Sequence, residues 1–304
     1  MPSSSQAAPG SHPTSEPYER LLGLRLHQTQ GRRAPHKPLL ALLAIGRLLE
    51  TGSSDLPWSV AKIQLADLIA EFGPASQTPK AQGAAYPFTR LRADGVWQLD
   101  ADVPDDRISS LHHVTGSFVP TVEAELRKFP RRALATAQAL VTSHFPQTLV
   151  NDVLVASGLE PELVLGSAPA ESQRRQSPAW RMQVIEAWDY QCAFCGWDGQ
   201  LGGVSVGLDA AHVRWFSYAG PDAPDNGLAL CSLHHKLFDR GALGLDVDLR
   251  VRVSRSFTAR TETGKAVYDL HGAVLRPRPG TALPAAEHVS WHDREVFKGE
   301  QLLA

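Results

Sequence analysis

The sequence is poor in cysteine, in net charge and in long apolar runs, and each shortage narrows what the chain can be. Its 304 residues include three cysteines, Cys192, Cys195 and Cys231. An odd number in a long chain argues against a disulfide framework, and their confinement to one short region suggests a metal instead. No apolar run approaches the ~18 residues of a membrane span. The first residues, MPSSSQAAPGSHPTSEP, lack the basic start and apolar stretch of a secretory signal. A cytoplasmic protein with no membrane association is expected. The formal net charge is -2, so bulk electrostatics give no reason to expect nucleic acid. Contact with DNA has to come from local patches. Two are available: Arg32, Arg33, His36 and Lys37 in GRRAPHK, and Arg90 and Arg92 in TRLR.

What is present fits a globular protein of α+β class, with 43% hydrophobic and 20% charged residues. The length allows two domains. Residues 1–15, rich in Ser, Pro and Ala, read as a disordered tail. PYERLLGLRL can open a first helix. Pro38 stands where a helix can begin, and the apolar run Leu39 to Leu49 predicts a largely buried helix closed by Gly52. Basic residues before a helix N-terminus make a natural anion site. SVAKIQLADLIAEFG predicts a second helix, with Gly73 as its stop. In AAYPFTRLRADGVWQLD the period changes, and the ADG turn suggests a hairpin. Residues 121–143 are helical in pattern, with a break or kink at Pro130. The first half is thus expected to be a mixed helix-and-hairpin domain, winged-helix-like in outline, over residues 16–164. The small, polar segment 165–178 reads as a linker to a second domain, residues 179–304. Within that domain, GALGLDVDLRVRVS and KAVYDLHGAVLRPRPG read as strands.

The strongest chemical signal is a pair of pairs. Cys192-x-x-Cys195 is followed by Cys231-x-x-His234. Each short spacing lets one tight turn present two ligands, and four N/S ligands make a closed tetrahedral zinc site. The interval between the pairs is long for a plain zinc ribbon, and it carries LDAAHVRWF and PDAPDNGLALC. Asp209 and His212 end a stretch that reads as a strand, Asn226 precedes an apolar segment, and His235 follows His234 directly. Neighbouring side chains on a regular element cannot both enter one site, so His234 and His235 need separate roles.

CAFC, LDAAHV, DNGLALC and CSLHHKLFDRGALGLD together resemble the HNH endonucleases and their ββα-metal fold, over about residues 179–250. The resemblance implies that His212 is the general base, a neutral imidazole near neutral pH. It implies that His235 and Asp209 bind a catalytic Mg²⁺ or Mn²⁺, and that Asn226 either ligates this ion or orients His212. Many members carry His or Asp directly before the first motif histidine; this chain has Ala211 there.

GRRAPHKPLL and AAYPFTRLR resemble the sulfur-binding domain of phosphorothioate-dependent type IV restriction endonucleases, in which such a domain precedes an HNH nuclease. The resemblance implies that the Pro87 ring faces the sulfur with Tyr86 beside it. It also implies that Arg32 and Arg33 contact backbone or base edges, with His36 and Arg90 as further contacts. The expected partner is double-stranded, phosphorothioate-modified DNA, and cutting both strands with a one-site nuclease suggests a homodimer. Two other expectations compete with this one. The reader could recognise another mark such as methylcytosine, or the chain could be a non-catalytic, zinc-stabilised DNA-binding protein.

Overall fold

The structure is a computed structural model, and it describes residues 17–24, 35–75, 79–105, 107–166 and 177–302. The expected tail, most of the linker, and Arg32 and Arg33 lie outside the described residues.

The first half is built around α1 (His36–Thr51), which is apolar on nearly every face and is buried from Pro38 to Gly46. A helix of that kind has to be enclosed by other elements. Here α2 (Trp58–Phe72), α3 (Lys80–Arg90), α4 (Pro120–Lys128) and α5 (Pro130–His144) pack on it, and α6 (Gln147–Ala156) and α7 (Pro161–Gly166) pack on α5. Gly46 permits one close approach. A Cβ there would stand 2.2 Å from the Ser157 carbonyl oxygen at the end of α6. Gly52 ends α1 in the left-handed conformation, φ 80°, and donates to Leu48 O. Pro130 divides two helices as its sequence position predicts, serving as the first residue of α5.

Two expectations for this half are corrected. AAYPFTR lies in α3, with Pro87 inside the helix. No hairpin forms around ADG. Gly95, φ 70°, ends a 3-10 turn after α3, and β2 (Trp97–Leu99) pairs with the later β3 (Thr115–Phe118). Short β1 (Leu56–Pro57) completes an antiparallel sheet in the order β1-β3-β2. Tertiary packing overrides the local turn signal. The Trp97 and Phe118 rings meet edge-on at 5.8 Å, and Trp97 Nε1 donates to Phe88 O on α3. PYERL forms a 3-10 turn rather than a longer helix within the described residues.

The second half opens with α8 (Pro178–Ala187), capped by Ser177 and carrying Pro178 in its first turn. A hairpin of β4 (Gln200–Leu201) and β5 (Val204–Ser205) turns through Gly202 and Gly203, both at positive φ. Then come β6 (Leu208–His212), β7 (Gly227–Cys231) and α9 (Ser232–Asp239), the ββα unit itself. β8 (Leu243–Leu245) and β9 (Val251–Val253) form a second hairpin, as expected. The stretch from Lys265 departs from its strand reading. Thr261 caps a helical turn, α10 (Glu262–Lys265), a 3-10 turn follows at Tyr268–Leu270, and a single bridge from Arg250 to Val274 is what remains of strand pairing. The chain ends on α11 (Ala286–Glu295).

The described residues form two cores. The smaller lies within the second half, around Trp180, Trp188, Leu228 and Phe238. The larger is drawn from the first half, yet it takes in Trp215, Tyr218, Trp291 and Val296 from the second. No helix among the described residues is long and apolar enough to cross a membrane.

Candidate active site

The ββα unit is set by five consecutive pairs from Leu208↔Cys231 to His212↔Gly227. Alternation along β6 puts His212 on the face shared by Leu208 and Ala210, and Asp209 on the opposite face with Ala211. Gly227, opposite His212, is required by what lies above it. A Cβ there would stand 2.4 Å from Val184 Cγ2 and 3.2 Å from the Trp180 ring. Without one, α8 descends onto the strands and the Trp180 indole stacks on the His212 imidazole, centroids 3.9 Å apart and planes 15° apart.

His212 is 5% exposed. Its Nε2 lies 2.8 Å from Asp222 Oδ1. The other oxygen of Asp222 accepts from the Ser177 backbone N–H at 3.0 Å. Burial pushes His212 below the ordinary imidazole value. Asp222 opposes that shift, while the charges of His235 and His288 reinforce it. A neutral imidazole at neutral pH is the result, as a base requires.

Asn226 is fully buried and its amide is engaged by the loop around it. Oδ1 accepts from Arg214 N at 2.8 Å, and Nδ2 donates to Arg214 O and Pro221 O, each at 3.0 Å. Both amide hydrogens are used on carbonyls, so the side chain staples the segment after His212 to the segment before β7. Of the two roles left open for Asn226, the geometry matches orientation of the loop.

α9 separates the adjacent histidines. His234 Nδ1 lies 3.3 Å from Cys231 Sγ and 3.5 Å from Cys192 Sγ. A tetrahedral zinc with sulfur and nitrogen at ordinary bond lengths separates S from N by about 3.5 Å. The ligand atoms of Cys192, Cys195, Cys231 and His234 all lie within 4.8 Å of one another. These four residues can therefore hold a metal ion. Hydrogen bonds from Cys195 and Cys231 pull Cys192 below the ordinary thiol value, and the same crowding pushes Cys195 up. Thiolates in such a cluster are what a divalent ion neutralises.

His235 points elsewhere. Its Nε2 is 3.3 Å from Asp239 Oδ2, one helical turn on. Thr148 of α6, in the first half of the chain, donates its hydroxyl to the same carboxylate. His235 Nδ1 is buried and has no hydrogen-bond partner among the described residues, which leaves a lone pair open to a cation. His288 on α11 likewise has a buried, unpartnered Nδ1. Asp209 stands on the strand face opposite that of His212, half exposed, and pairs with Arg181 at 3.3 Å. Among the described residues, the cysteine–histidine cluster is the one group of three or more metal-ligating side chains.

Of the residues expected to read DNA, His36 is half-buried at the start of α1. The neighbouring Lys37 pairs with Asp94. On α3 the Arg90 guanidinium lies 4.5 Å over the Tyr86 ring, and Gln82 bonds the Tyr86 hydroxyl at 2.6 Å. Pro87, between them in sequence, is buried. Helical geometry places residue 87 off the face that 82, 86 and 90 share.

Trp180, Asp222, Asp239, Thr148 and His288 were missing from the expected site. Asp239 had a signal, its i, i+4 spacing from His235 on an evident helix. The others reach the site from loops or distant helices, and no local spacing marks them.

Two family models match the chain. Residues 15–162 match the ScoMcrA-like DNA sulfur-binding domain, and residues 192–246 match the HNH endonuclease family. The chain joins a DNA sulfur-binding domain to an HNH nuclease domain. Among solved structures, the chain is similar to the sulfur-binding domain of ScoMcrA complexed with phosphorothioated DNA. The two are 22% identical over 46% of this chain and 97% of that one, with a TM-score of 0.38. It is also similar to the type IV phosphorothioation-dependent restriction endonuclease ScoMcrA, at 13% identity over 77% and 84% of the two chains, TM-score 0.38. A third likeness, to the modification-dependent restriction endonuclease TagI, is 24% identical, spans 45% of this chain and 41% of that one, and has a TM-score of 0.32. No curated protein matches.

Proposed function

We propose that this protein is a type IV restriction endonuclease. Residues 16–164 bind phosphorothioate-modified double-stranded DNA in the cytoplasm. Residues 179–304, beyond the linker 165–178, hydrolyse phosphodiester bonds. The observation that carries the proposal is the pairing, in one chain, of a sulfur-binding family match with a buried imidazole–carboxylate dyad at the end of the ββα strands.

A phosphorothioate carries sulfur in place of a non-bridging phosphate oxygen. Sulfur is larger, more polarisable and less well hydrated, so its reader needs apolar surface beside it and cations for the remaining charge. We assign Tyr86 and Arg90, stacked on one helix face, to that surface, with Arg32, Arg33 and His36 as further contacts. An arginine can also bind a guanine edge bidentately. Pro87 is assigned to the packing that fixes this face.

For cleavage, His212 accepts a proton from water as the water oxygen attacks phosphorus and the bond to the leaving oxygen breaks. Asn226 holds the loop that carries His212. His235 Nδ1 is the protein ligand we assign to a catalytic divalent ion. A nitrogen donor there suits Mn²⁺ better than Mg²⁺, which prefers oxygen. Such an ion, when bound, neutralises charge on the phosphate and the leaving oxygen. Asp209, engaged by Arg181, is left out of that set. Zinc is the ion we assign to Cys192, Cys195, Cys231 and His234, where its role is structural.

The test uses three matched duplexes, carrying a phosphorothioate, methylcytosine or no modification, with wild-type protein and His212→Ala. Both proteins are expected to bind the phosphorothioate duplex preferentially, and only the wild type to cut it when divalent ions are supplied. Equal binding to all three duplexes would remove the sulfur-reading half of the proposal. Wild-type cutting rates from His212→Ala would remove the nuclease half.

A further inference from the structure

The dyad contains a residue with no place in the HNH motif. We propose that Asp222 is a positioning residue for cleavage: its carboxylate fixes His212 in the tautomer protonated on Nε2, leaving Nδ1 as the basic nitrogen. The inference rests on the reading of His212 as general base and adds how that base is set.

An ionised carboxylate can only accept hydrogen bonds, so a 2.8 Å contact between Asp222 Oδ1 and His212 Nε2 places the ring hydrogen on Nε2. The neutral ring then has its lone pair on Nδ1. Asp222 is itself built in. Oδ2 is occupied by the Ser177 backbone N–H. The preceding residue, Pro221, is held through its carbonyl by Asn226, and the following one, Ala223, accepts from the Trp180 indole at 2.9 Å. The same Trp180 lies flat on the His212 ring and restrains its rotation. Tautomer and orientation are thus set by one short loop.

The carboxylate has a second effect. When His212 takes the proton from water, a cation forms on a ring that is 5% exposed. Burying an unpaired charge is costly. The charged and titratable groups acting on that ring are Asp222 from the loop, His235 from α9 and His288 from α11. Only Asp222 among these favours the cation. One proton moves, from water to Nδ1, and the carboxylate keeps its charge throughout.

Asp222→Asn tests the assignment with little change of shape. The amide puts an NH2 donor in place of one of the two carboxylate oxygens, so it faces an N–H donor at either His212 Nε2 or Ser177 N. On a phosphorothioate duplex its kcat is expected to fall by about 10²- to 10⁴-fold with KM nearly unchanged. The acid limb of its kcat/KM profile should move to lower pH, because the group that favours the imidazolium is gone. Wild-type kcat and an unmoved acid limb in a folded Asp222→Asn protein would overturn the proposal. ¹⁵N shifts of the His212 ring in wild-type protein provide a reading that needs neither cleavage nor the variant. A ring protonated on Nε2 supports the proposal and one protonated on Nδ1 overturns it. If His212→Ala still cuts, the base assignment fails separately, while the tautomer measurement still reports on Asp222.

Discussion

The two ends of α9 solve the same problem, holding a histidine still, in opposite ways. At its N-terminal end His234 sits among three cysteines whose ligand atoms lie within 4.8 Å of one another. The next residue, His235, is held toward the far end of the helix, with a carboxylate of its own in Asp239, as His212 has in Asp222. The cysteine cluster is complete within the chain. The His212 and His235 sites are histidine–carboxylate pairs, and His235 keeps an Nδ1 with no hydrogen-bond partner among the described residues. α9 has eight residues, too few to be stable as an isolated helix. Its start is therefore fixed by the cluster, and its far end by the sulfur-binding half, through Thr148, Asp152 and Glu71.

Breaking the cluster should have the largest effect. Structural zinc supplies about 10–16 kcal/mol of apparent folding energy in zinc-finger peptides. Here a buried core shares the task, but His234→Ala or a strong chelator is expected to melt the nuclease domain and release the metal. His235→Ala, one residue along, should keep the metal of the cysteine cluster and its thermal transition and lose cleavage. Calorimetry with metal analysis on the two variants makes the comparison. If both lose metal, or if His234→Ala stays folded and cuts, the two ends of α9 do not have separate duties.

The cluster was legible in the sequence because its spacing is local. Cys-x-x-Cys and Cys-x-x-His each fit a single turn, and a turn brings such residues together whatever the rest of the fold does. Order along the chain similarly carried β6, β7 and α9. Asp222 was invisible because it lies in an irregular loop, where separation from His212 says nothing about distance. Thr148 reaches Asp239 across an interface between the two halves, and no period encodes that. The helix around Pro87 was hidden for a related reason: a proline in a segment of changing period argues against a helix, yet α3 continues through it.

Thr148→Val sharpens the comparison at the far end of α9. The substitution keeps the shape and removes a hydroxyl donor from Asp239, which is 3% exposed. Leaving a buried acceptor short of a donor costs about 1–3 kcal/mol. Urea denaturation should show a loss of that size. Cleavage should fall several-fold while phosphorothioate binding holds, because Asp239 carries His235. Unchanged stability and rate would mean that the sulfur-binding half does not steady His235.

The smallest effect is expected at the rim of the same interface. Asp152 lies between Lys236 at 2.9 Å and Arg240 at 3.1 Å. Burial pushes its carboxyl up, but the hydrogen bonds and charges of Lys236 and Arg240 outweigh that and hold it below the ordinary aspartate value. With the folded value lowered, the unfolded chain binds the proton more readily. The stabilisation is therefore present above the unfolded aspartate value and is lost as pH falls through the folded one. The pair is largely solvent-screened, so Asp152→Asn should cost no more than about 1 kcal/mol at neutral pH and low salt, and less at high salt. Stability of the wild type and the variant should converge as the pH is lowered past the aspartate range. A gap that persists there would mean that Asp152 acts through packing rather than charge, and that the catalytic helix is held at this end by contacts insensitive to pH.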